Sequence, residues 1–462
     1  MSSIVETLIE TFGSEVVLTA DEAAMRVASN WRQDENLRCL ALLRPKNTEQ
    51  VSQMLKICNE FDQPVVPHGG LTNVVGGVVT NENEIVLSLE QMNQVEDISV
   101  QNKTVTVQAG VVLQQLQKIV SENGMLFPLD LGAKGSCMIG GNIASNAGGL
   151  HALRYGVTRN LVLGLEVVLA DGTIISSMNK MMKNNAGYDL KQIFIGSEGT
   201  LGIITRAVLK IEDLPKTKNT AFIGLESFEK AIQLLQESKK TLKNDLTSFE
   251  LLWQDYYVLM TSPPSTYAPP LPQGYSFYVL MEALGQDEKN DKILFEQFLE
   301  DTLESGLIAD AAIAQSQQEL SWFWSIRENV ELIFSVHRPV FLFDVSLAIS
   351  DMDKYLATIK SGLRSVWPDV HFYGFGHMGD GNLHLYVCCG SDDISTRHAV
   401  EEIVYQPLQA IGGSITGEHG IGLEKKAWLH LSRTNEEIQL MKTLKRALDL
   451  KGILNPGKLL PV

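Results

Sequence analysis

Long hydrophobic runs and paired cysteine motifs are both missing from this sequence. The apolar stretch Leu161–Ala170 is ten residues long and contains Glu166, whereas a membrane-spanning helix needs about 20 apolar residues. The five cysteines are odd in number and form no Cys-x-x-Cys motif, so we expect reduced thiols. The N-terminus MSSIVETLIE has no basic segment followed by an apolar run and predicts no signal peptide. These absences favour a soluble, cytoplasmic protein, with peripheral membrane contact left open.

Basic residues are outnumbered by acidic ones, 38 against 55, which gives a net charge of −17. This balance argues against nucleic acid or an anionic membrane surface as the main partner. It does not exclude an acidic substrate, because a local cluster of basic residues can override it. The hydrophobic share of 44% is typical of globular proteins. A chain of 462 residues exceeds the usual size of one core, so we expect two or three domains.

Strand patterns and helix patterns are mixed along the chain, as in an α+β protein. Glycine is concentrated in the connections of the first two hundred residues, and the composition changes near Leu214. Beyond that point, amphipathic helical patterns such as SFEKAIQLLQES are separated by strand patterns such as YSFYVLMEAL. We predict one domain over residues 1–213, a second over 214–412, and a C-terminal segment, 413–462, that packs back on the first.

The stretch GHMGDGNLHL places two histidines, His377 and His384, seven positions apart. Asp380-Gly381 is a strong signal for a two-residue hairpin turn. Counting outward from that turn sets the two histidines opposite each other, with Cβ atoms about 4.5–5.5 Å apart. Two imidazoles at that distance can share one metal ion. Ordinary histidines on the surface of a sheet are the alternative that this stretch alone leaves open.

Three glycine-rich clusters lie in the first part of the chain, at Pro67–Gly77, Pro128–Leu150 and Gly196–Thr205. Unpaired backbone N–H groups in such loops form concavities that bind phosphate oxygens. One such cluster is adequately explained by tight turns, whereas three indicate a nucleotide. Neither GxxxxGK[ST] nor GxGxxG in its usual strand-to-helix context is present, so the pyrophosphate of such a cofactor must be held in another way.

The motifs DLGAKGSCMIGGNIASNAGG, GHMGDGNLHL, GEHGIGLEKK and GILNPGK occur in this order. Together they resemble the branch of the vanillyl-alcohol oxidase and para-cresol methylhydroxylase superfamily that contains D-2-hydroxyglutarate dehydrogenase, D-lactate dehydrogenase and the flavin subunit of glycolate oxidase. The resemblance implies a two-subdomain FAD-binding domain and an α+β substrate-binding domain with an antiparallel sheet. It also implies FAD-dependent oxidation of a D-2-hydroxy acid to the 2-oxo acid.

The resemblance also implies which residues bind FAD. Leu71 stands where relatives with covalent flavin carry a histidine, and His68 precedes the Gly-Gly pair, so we expect noncovalent FAD. The expected FAD-binding residues are Pro67, Gly69, Gly70, Leu71, Thr72, Asn73, Pro128, Gly132, Ser136, Cys137, Gly140, Gly141, Asn142, Ala144, Ser145, Gly148, Gly149, Tyr155, Glu198, Gly202, Ile203, Ile204 and Asn455.

For the second half of the chain, the resemblance implies a metal and a base. Glu418 would join His377 and His384 as the third ligand of a divalent ion, Zn²⁺ or Mn²⁺. The ion would polarise the substrate hydroxyl, and His419 would take its proton. Arg327, in WSIREN, would bind the substrate carboxylate through its planar fork. A metal-dependent hydrolase using the same ligands is the alternative from another class.

One departure from the family pattern concerns the substrate's far end. In the 2-hydroxyglutarate enzymes a threonine, a lysine and an asparagine surround the substrate, and the aligned residues here are Glu331, Leu342 and Tyr386. This favours a substrate without a second carboxylate, although an enzyme specific for D-2-hydroxyglutarate stays open. The expected partners are a small 2-hydroxy acid, an electron acceptor such as a quinone or an electron-transferring flavoprotein and, as one option, a second copy of the chain.

Overall fold

The computed structural model describes residues 3–30 and 32–460. The chain forms two compact units. The first comprises Met1–Gly149, Gly156–Leu214 and Glu418–Val462, and the second comprises Leu150–Tyr155 and Pro215–Gly417. In sequence, the short segment Leu150–Tyr155 of the second unit interrupts the first unit at the end of the glycine-rich cluster Pro128–Leu150.

The first unit contains two main sheets. One has four strands, in the order Val17–Thr19, Ala41–Leu43, Ile85–Ser88, Val65–His68, and its last three strands are parallel. The other is antiparallel, in the order Ile174–Ser177, Val162–Val168, Ile203–Lys210, Thr104–Gln108, Val95–Ser99. Two small pairs join Val27–Ser29 to Arg32–Asn36 and Met125–Leu126 to Glu212–Asp213. The helices are Ile4–Phe12, Ala20–Ala23, Thr48–Glu60, Leu113–Ser121, Ile139–Ser145, Thr158–Leu161, Lys191–Phe194, Asn435–Leu448 and the 3-10 helix Lys426–Leu431.

The second unit is built on one antiparallel sheet of seven strands. Their order is Asp310–Ile313, Thr217–Leu225, Phe277–Gly285, Leu246–Trp253, His371–His377, Asn382–Cys388, Phe341–Ser346. Its helices are Ala152–Tyr155, Phe228–Thr241, Gln254–Thr261, Asp291–Glu304, Gln317–Glu328, Glu331–Val336, Met352–Val366 and Ile394–Ala410, with 3-10 turns at Lys243–Asp245 and Ile349–Asp351. This architecture agrees with the α+β expectation, including the antiparallel sheet.

The central strands of that sheet are buried along almost their whole length, which explains their near-continuous apolar sequences. Phe277–Gly285 is buried at every position. An aromatic core that includes Tyr256, Tyr278 and Phe375 packs against one face. The helix Gln317–Glu328 contributes Phe323 and Ile326 to this core. Side chains on the same face therefore leave water for a mostly apolar environment, and any charged group among them needs a partner.

Candidate active site

The glycine-rich loops of the first unit surround two adjoining cavities, of about 110 and 280 Å³. Both are lined by Gly69, Asn73, Val78, Gly141 and Ser145, so they form parts of one cleft. Nineteen of the residues expected to bind FAD line it: Pro67, Gly69, Gly70, Leu71, Thr72, Asn73, Gly132, Cys137, Gly140, Gly141, Asn142, Ala144, Ser145, Gly148, Glu198, Gly202, Ile203, Ile204 and Asn455. The remaining four, Pro128, Ser136, Gly149 and Tyr155, lie outside these linings, and Tyr155 belongs to the second unit.

Close backbone packing explains the glycine at position 70. A Cβ atom there would lie 2.0 Å from the carbonyl oxygen of Ser136, so the first two glycine-rich loops touch through their backbones. The next residue, Leu71, has φ +58°, in the left-handed region that non-glycine residues rarely adopt. The loop is thus held in a bent conformation against its neighbour.

Two buried amide oxygens on the cleft wall are suited to a ligand with many donors. Within residues 3–30 and 32–460, the Oδ1 atoms of Asn142 and Asn455 have no hydrogen-bond partner, although both residues are at most 5% exposed. Such acceptors are costly to bury alone. The ribityl hydroxyls and ring N–H of FAD are donors of the right kind, so the residues present fit this cofactor.

Glu418 and His419 line the larger cavity of the same cleft. A Cβ atom at Gly148 would lie 3.1 Å from Oε1 of Glu418, so the absence of a side chain at Gly148 leaves room for that carboxylate. The expected base therefore faces the cavity in which the glycine-rich loops would hold a flavin.

In the second unit, the predicted hairpin forms with a different register. His384 is paired with Phe375, and not with His377 as the two-residue turn predicted. The strands end at His377 and Asn382, leaving a four-residue loop in which the carbonyl of His377 accepts from the N–H groups of Asp380 and Gly381, both at 3.2 Å. A shift of two residues preserves the face on which each side chain lies. The two imidazoles are consequently still neighbours, with ring centroids 5.3 Å apart.

A buried glutamate that the sequence analysis missed contacts two side chains of this face that were predicted to be functional, those of His377 and Arg327. Glu250 is 1% exposed; its Oε1 lies 2.8 Å from Nδ1 of His377, and its Oε2 accepts from Nε of Arg327 at 2.8 Å. Burial raises the pKa of Glu250, but the charges of His377 and Arg327 outweigh burial and hold it below its ordinary value. Arg327 also lies over the ring of Phe375, 4.6 Å from its centroid. One signal in the sequence could have identified Glu250: it is the single charged residue in the apolar strand sequence LTSFELLW.

A second buried carboxylate, Asp344, fixes the chain just before Glu418. Asp344 is paired with His384 across two strands, and it accepts from Nδ2 of Asn382 at 2.7 Å and from the N–H of Gly417 at 3.0 Å. A Cβ atom at Gly417 would lie 2.0 Å from Nδ2 of Asn382. Gly417 is therefore held beside the strand that carries His384, and Glu418 follows it through one peptide bond.

Comparisons with known proteins agree with these features. The model of the FAD binding domain matches residues 39–177, and that of the C-terminal domain of FAD-linked oxidases matches residues 214–459. The D-2-hydroxyglutarate dehydrogenase of Danio rerio is 41% identical over 91% of this chain and 78% of its own length. A putative D-lactate dehydrogenase of Schizosaccharomyces pombe is 39% identical over 93% of this chain and 83% of its own length.

Solved structures show the same fold at low identity. The 4-ethylphenol oxidase of Gulosibacter chungangensis has a TM-score of 0.75 at 18% identity, covering 99% of this chain and 97% of that one. For p-cresol methylhydroxylase the TM-score is 0.74 at 15% identity, with 98% and 96% covered. The chain belongs to the FAD-linked oxidases, in the branch of the D-2-hydroxy acid dehydrogenases, and is an oxidoreductase with the fold of the vanillyl-alcohol oxidase superfamily.

The predicted cytoplasmic location is wrong by the same comparisons, because relatives of 39–41% identity are named as mitochondrial enzymes. The expectation of reduced thiols led to this prediction, but reduced thiols do not distinguish one reducing compartment from another. Among the helices that the structure describes, none combines the length and the apolar character that a membrane crossing requires.

Proposed function

We propose that this chain oxidises a D-2-hydroxy acid to the 2-oxo acid, using noncovalent FAD, a divalent metal and His419 as the base. The observation that carries the proposal is the sharing of one buried carboxylate, Glu250, by His377 and Arg327. The proposed metal ligand and the proposed partner of the substrate carboxylate are close together, with Nη2 of Arg327 3.4 Å from Nε2 of His377.

The metal would be Zn²⁺ or Mn²⁺, held by His377, His384 and Glu418. When a carboxylate accepts the Nδ1 proton of a histidine, Nε2 is left as the nitrogen that can bind a metal, and the ring orientation is fixed. Glu250 is placed to do this for His377. Glu418 directly follows Gly417, which Asp344 fixes beside the strand of His384. An ion there would supply Lewis acidity towards the substrate hydroxyl.

The protein's own part in the reaction is to orient the acid and to move one proton. Glu250 accepts a hydrogen bond from Nε of Arg327 and thereby orients the two Nη groups that would bind the substrate carboxylate. Nε2 or Nδ1 of His419 would take the proton of the hydroxyl. FAD, held by the glycine-rich loops, would supply the acceptor for the hydride that leaves the substrate carbon. The metal-dependent hydrolase is not proposed, because the chain belongs to a family of FAD-linked oxidases.

An apolar side chain on the substrate is favoured by the residues around Leu342. Leu342 is paired with Tyr386, which is 5% exposed and makes an edge contact with Phe334, at 5.8 Å between ring centroids. His337, one of the two candidate cations, is already hydrogen-bonded to the hydroxyl of Tyr373 at 2.9 Å. D-2-hydroxyglutarate is the second candidate, because the Danio rerio relative is named for it.

A screen of D- and L-2-hydroxy acids with an artificial dye acceptor tests the proposal. We expect turnover of at least one D-acid, loss of turnover after chelation, and its return with Zn²⁺ or Mn²⁺. Turnover that survives complete removal of metal would refute the metal's role, and preference for L-acids would refute the stereochemistry.

The same assay can compare natural acceptors: a quinone, an electron-transferring flavoprotein, and pyruvate. Pyruvate is included because a Saccharomyces cerevisiae relative is named a D-2-hydroxyglutarate–pyruvate transhydrogenase. A homodimer stays a prediction, which the molecular mass in solution would test.

A further inference from the structure

The loop that follows His419 is held by a carboxylate from another glycine-rich loop, that of Glu198. We propose that Glu198 is a positioning residue, which fixes the His419 loop through the backbone N–H groups of Ile421 and Gly422. This role differs from the contact with FAD that the family resemblance implied for Glu198. The inference rests on the proposed role of His419 as the base.

The carboxylate of Glu198 is engaged at both oxygens. Oε1 accepts from the N–H of Ile421 at 2.7 Å, and Oε2 accepts from the N–H of Gly422 at 2.8 Å. Burial raises the pKa of this carboxyl group, and the two N–H groups act against that effect by stabilising its ionised form. Two such hydrogen bonds on successive residues determine both the position and the orientation of that peptide segment, which begins two residues after His419.

The backbone of Glu198 is itself held by hydrogen bonds, so the carboxylate that binds the His419 loop starts from a fixed position. Its N–H donates to the carbonyl of Ala144 at 2.8 Å, and its carbonyl accepts from Nδ2 of Asn455 at 2.7 Å. Its φ of +51° lies in the left-handed region. Non-glycine residues held in that region are strained and concentrate at functional sites.

The carboxylate of Glu198 can lie against the His419 loop only because residue 420 is a glycine. This glycine has φ +83°, and a Cβ atom there would lie 2.8 Å from Oε1 of Glu198. A side chain at this position would therefore displace either the carboxylate or the loop. Gly420 lies between His419 and the two residues whose N–H groups bind Glu198. The missing side chain of Gly420 and the carboxylate of Glu198 therefore both help to set the conformation of this loop.

Glu198 also lines the smaller cavity of the cleft together with Asn455. One residue thus borders the space in which the glycine-rich loops would hold FAD and holds the segment that carries the base. Because both carboxylate oxygens already have backbone partners, the side chain acts on the reaction through the loop.

Glu198→Gln in the holoenzyme tests this inference, since the amide keeps one acceptor and replaces the other with an NH₂ group that cannot accept. We expect faster hydrogen–deuterium exchange in peptides covering residues 418–424. We also expect kcat to fall up to about 10²-fold, as misplacement of a reacting group by about 1 Å can do, with little change in KM and retained FAD. Gly420→Ala leaves Glu198 intact and should produce the same two changes.

Glu166→Gln is the matched control. Glu166 is a buried carboxylate of the same unit, but its partners lie outside the His419 loop: the hydroxyls of Thr48, Ser176 and Thr205 and the guanidinium of Arg206. Unchanged exchange at 418–424 together with an unchanged kcat in Glu198→Gln would overturn the inference. If Glu198→Gln does not fold, Glu198→Asp takes its place, because its shorter carboxylate cannot reach both N–H groups from the same backbone position. The exchange result needs no substrate, so it stands even if His419 is not the base.

Discussion

Nδ1 of His377 lies 2.8 Å from the carboxylate of Glu250, a residue 127 positions earlier in the chain. The two residues are paired across neighbouring strands, Leu246–Trp253 and His371–His377, and both point to the same face of the sheet. The carboxylate also binds Arg327. One glutamate therefore fixes a ligand of the proposed metal and the proposed partner of the substrate carboxylate.

Replacing Glu250 with Gln should weaken both functions at once. We expect metal affinity to fall about 10–100-fold, the usual effect of removing a carboxylate that orients a metal-binding histidine. We also expect KM for the acid to rise, since Arg327 loses its buried partner. Metal content by atomic spectroscopy and steady-state kinetics measure the two effects. Glu282→Gln is the control, because Glu282 is equally buried on the adjacent strand but bonds Trp324. Unchanged metal affinity in Glu250→Gln would contradict the orienting role.

His377→Ala and His384→Ala should each remove most of the bound metal and most activity. The flavin absorption spectrum should stay nearly unchanged, because the FAD cleft is formed by residues of the other unit. His371→Ala is the control: this residue lies on the same strand as His377, and it is exposed. Full metal content in either of the first two variants would count against the metal site.

The sequence predicted the local features of this site better than its register. Away from the site, apolar residues at helical spacing after Asn47 predict a capped helix, which is present over Thr48–Glu60 with Val51, Met54, Leu55 and Cys58 buried. The neighbouring imidazoles of His377 and His384 were also predicted, although the turn is longer than the pattern Asp-Gly indicates. A register error of two residues left the predicted face unchanged, because side chains alternate with a period of two.

What could not be predicted depends on contacts between distant parts of the chain. Glu250 and Asp344 stand alone in apolar strands, which marks them as unusual, but their partners lie far away in sequence. Periodicity describes one strand at a time and says nothing about which strand lies beside it. The pairing of Leu246–Trp253 with His371–His377 follows from the packing of the whole sheet.

Denaturation in acid should release the flavin into the supernatant. Leu71 occupies the place of the histidine that carries covalent flavin in relatives. His68, the other nearby histidine, is 3% exposed and uses Nε2 to bind the carbonyl of Val78 at 2.9 Å. Absorbance of the supernatant and of the precipitate measures the distribution. Flavin that stays with the precipitated chain would refute noncovalent binding.

His68 should make the protein less stable in mild acid. Burial lowers its pKa from the ordinary value of 6.5 to about 4. Between these values the unfolded chain binds a proton that the folded chain does not, so stability falls as the pH drops from 6.5 towards 4, by up to about 3 kcal/mol. His68→Gln keeps a donor for Val78 and should flatten the dependence of Tm on pH in this window. An identical pH profile for the variant would contradict this assignment.

The substrate should be a monocarboxylic D-2-hydroxy acid with an apolar side chain. Leu342 and Tyr386 replace the lysine and the asparagine of the 2-hydroxyglutarate enzymes, and burial together with nearby His371 lowers the pKa of His337, which favours its neutral form. A second carboxylate beside these groups would be buried without a partner, at a cost of several kcal/mol, and about 1.4 kcal/mol already corresponds to a tenfold change in rate. We therefore expect a higher kcat/KM for D-lactate or D-2-hydroxyisocaproate than for D-2-hydroxyglutarate. Leu342→Lys should shift the preference towards the dicarboxylate, and Leu342→Met is the control without a charge. If the unmodified protein clearly prefers D-2-hydroxyglutarate, a cationic side chain elsewhere in the site must bind the second carboxylate. His337 and Arg338 would be the first residues to test.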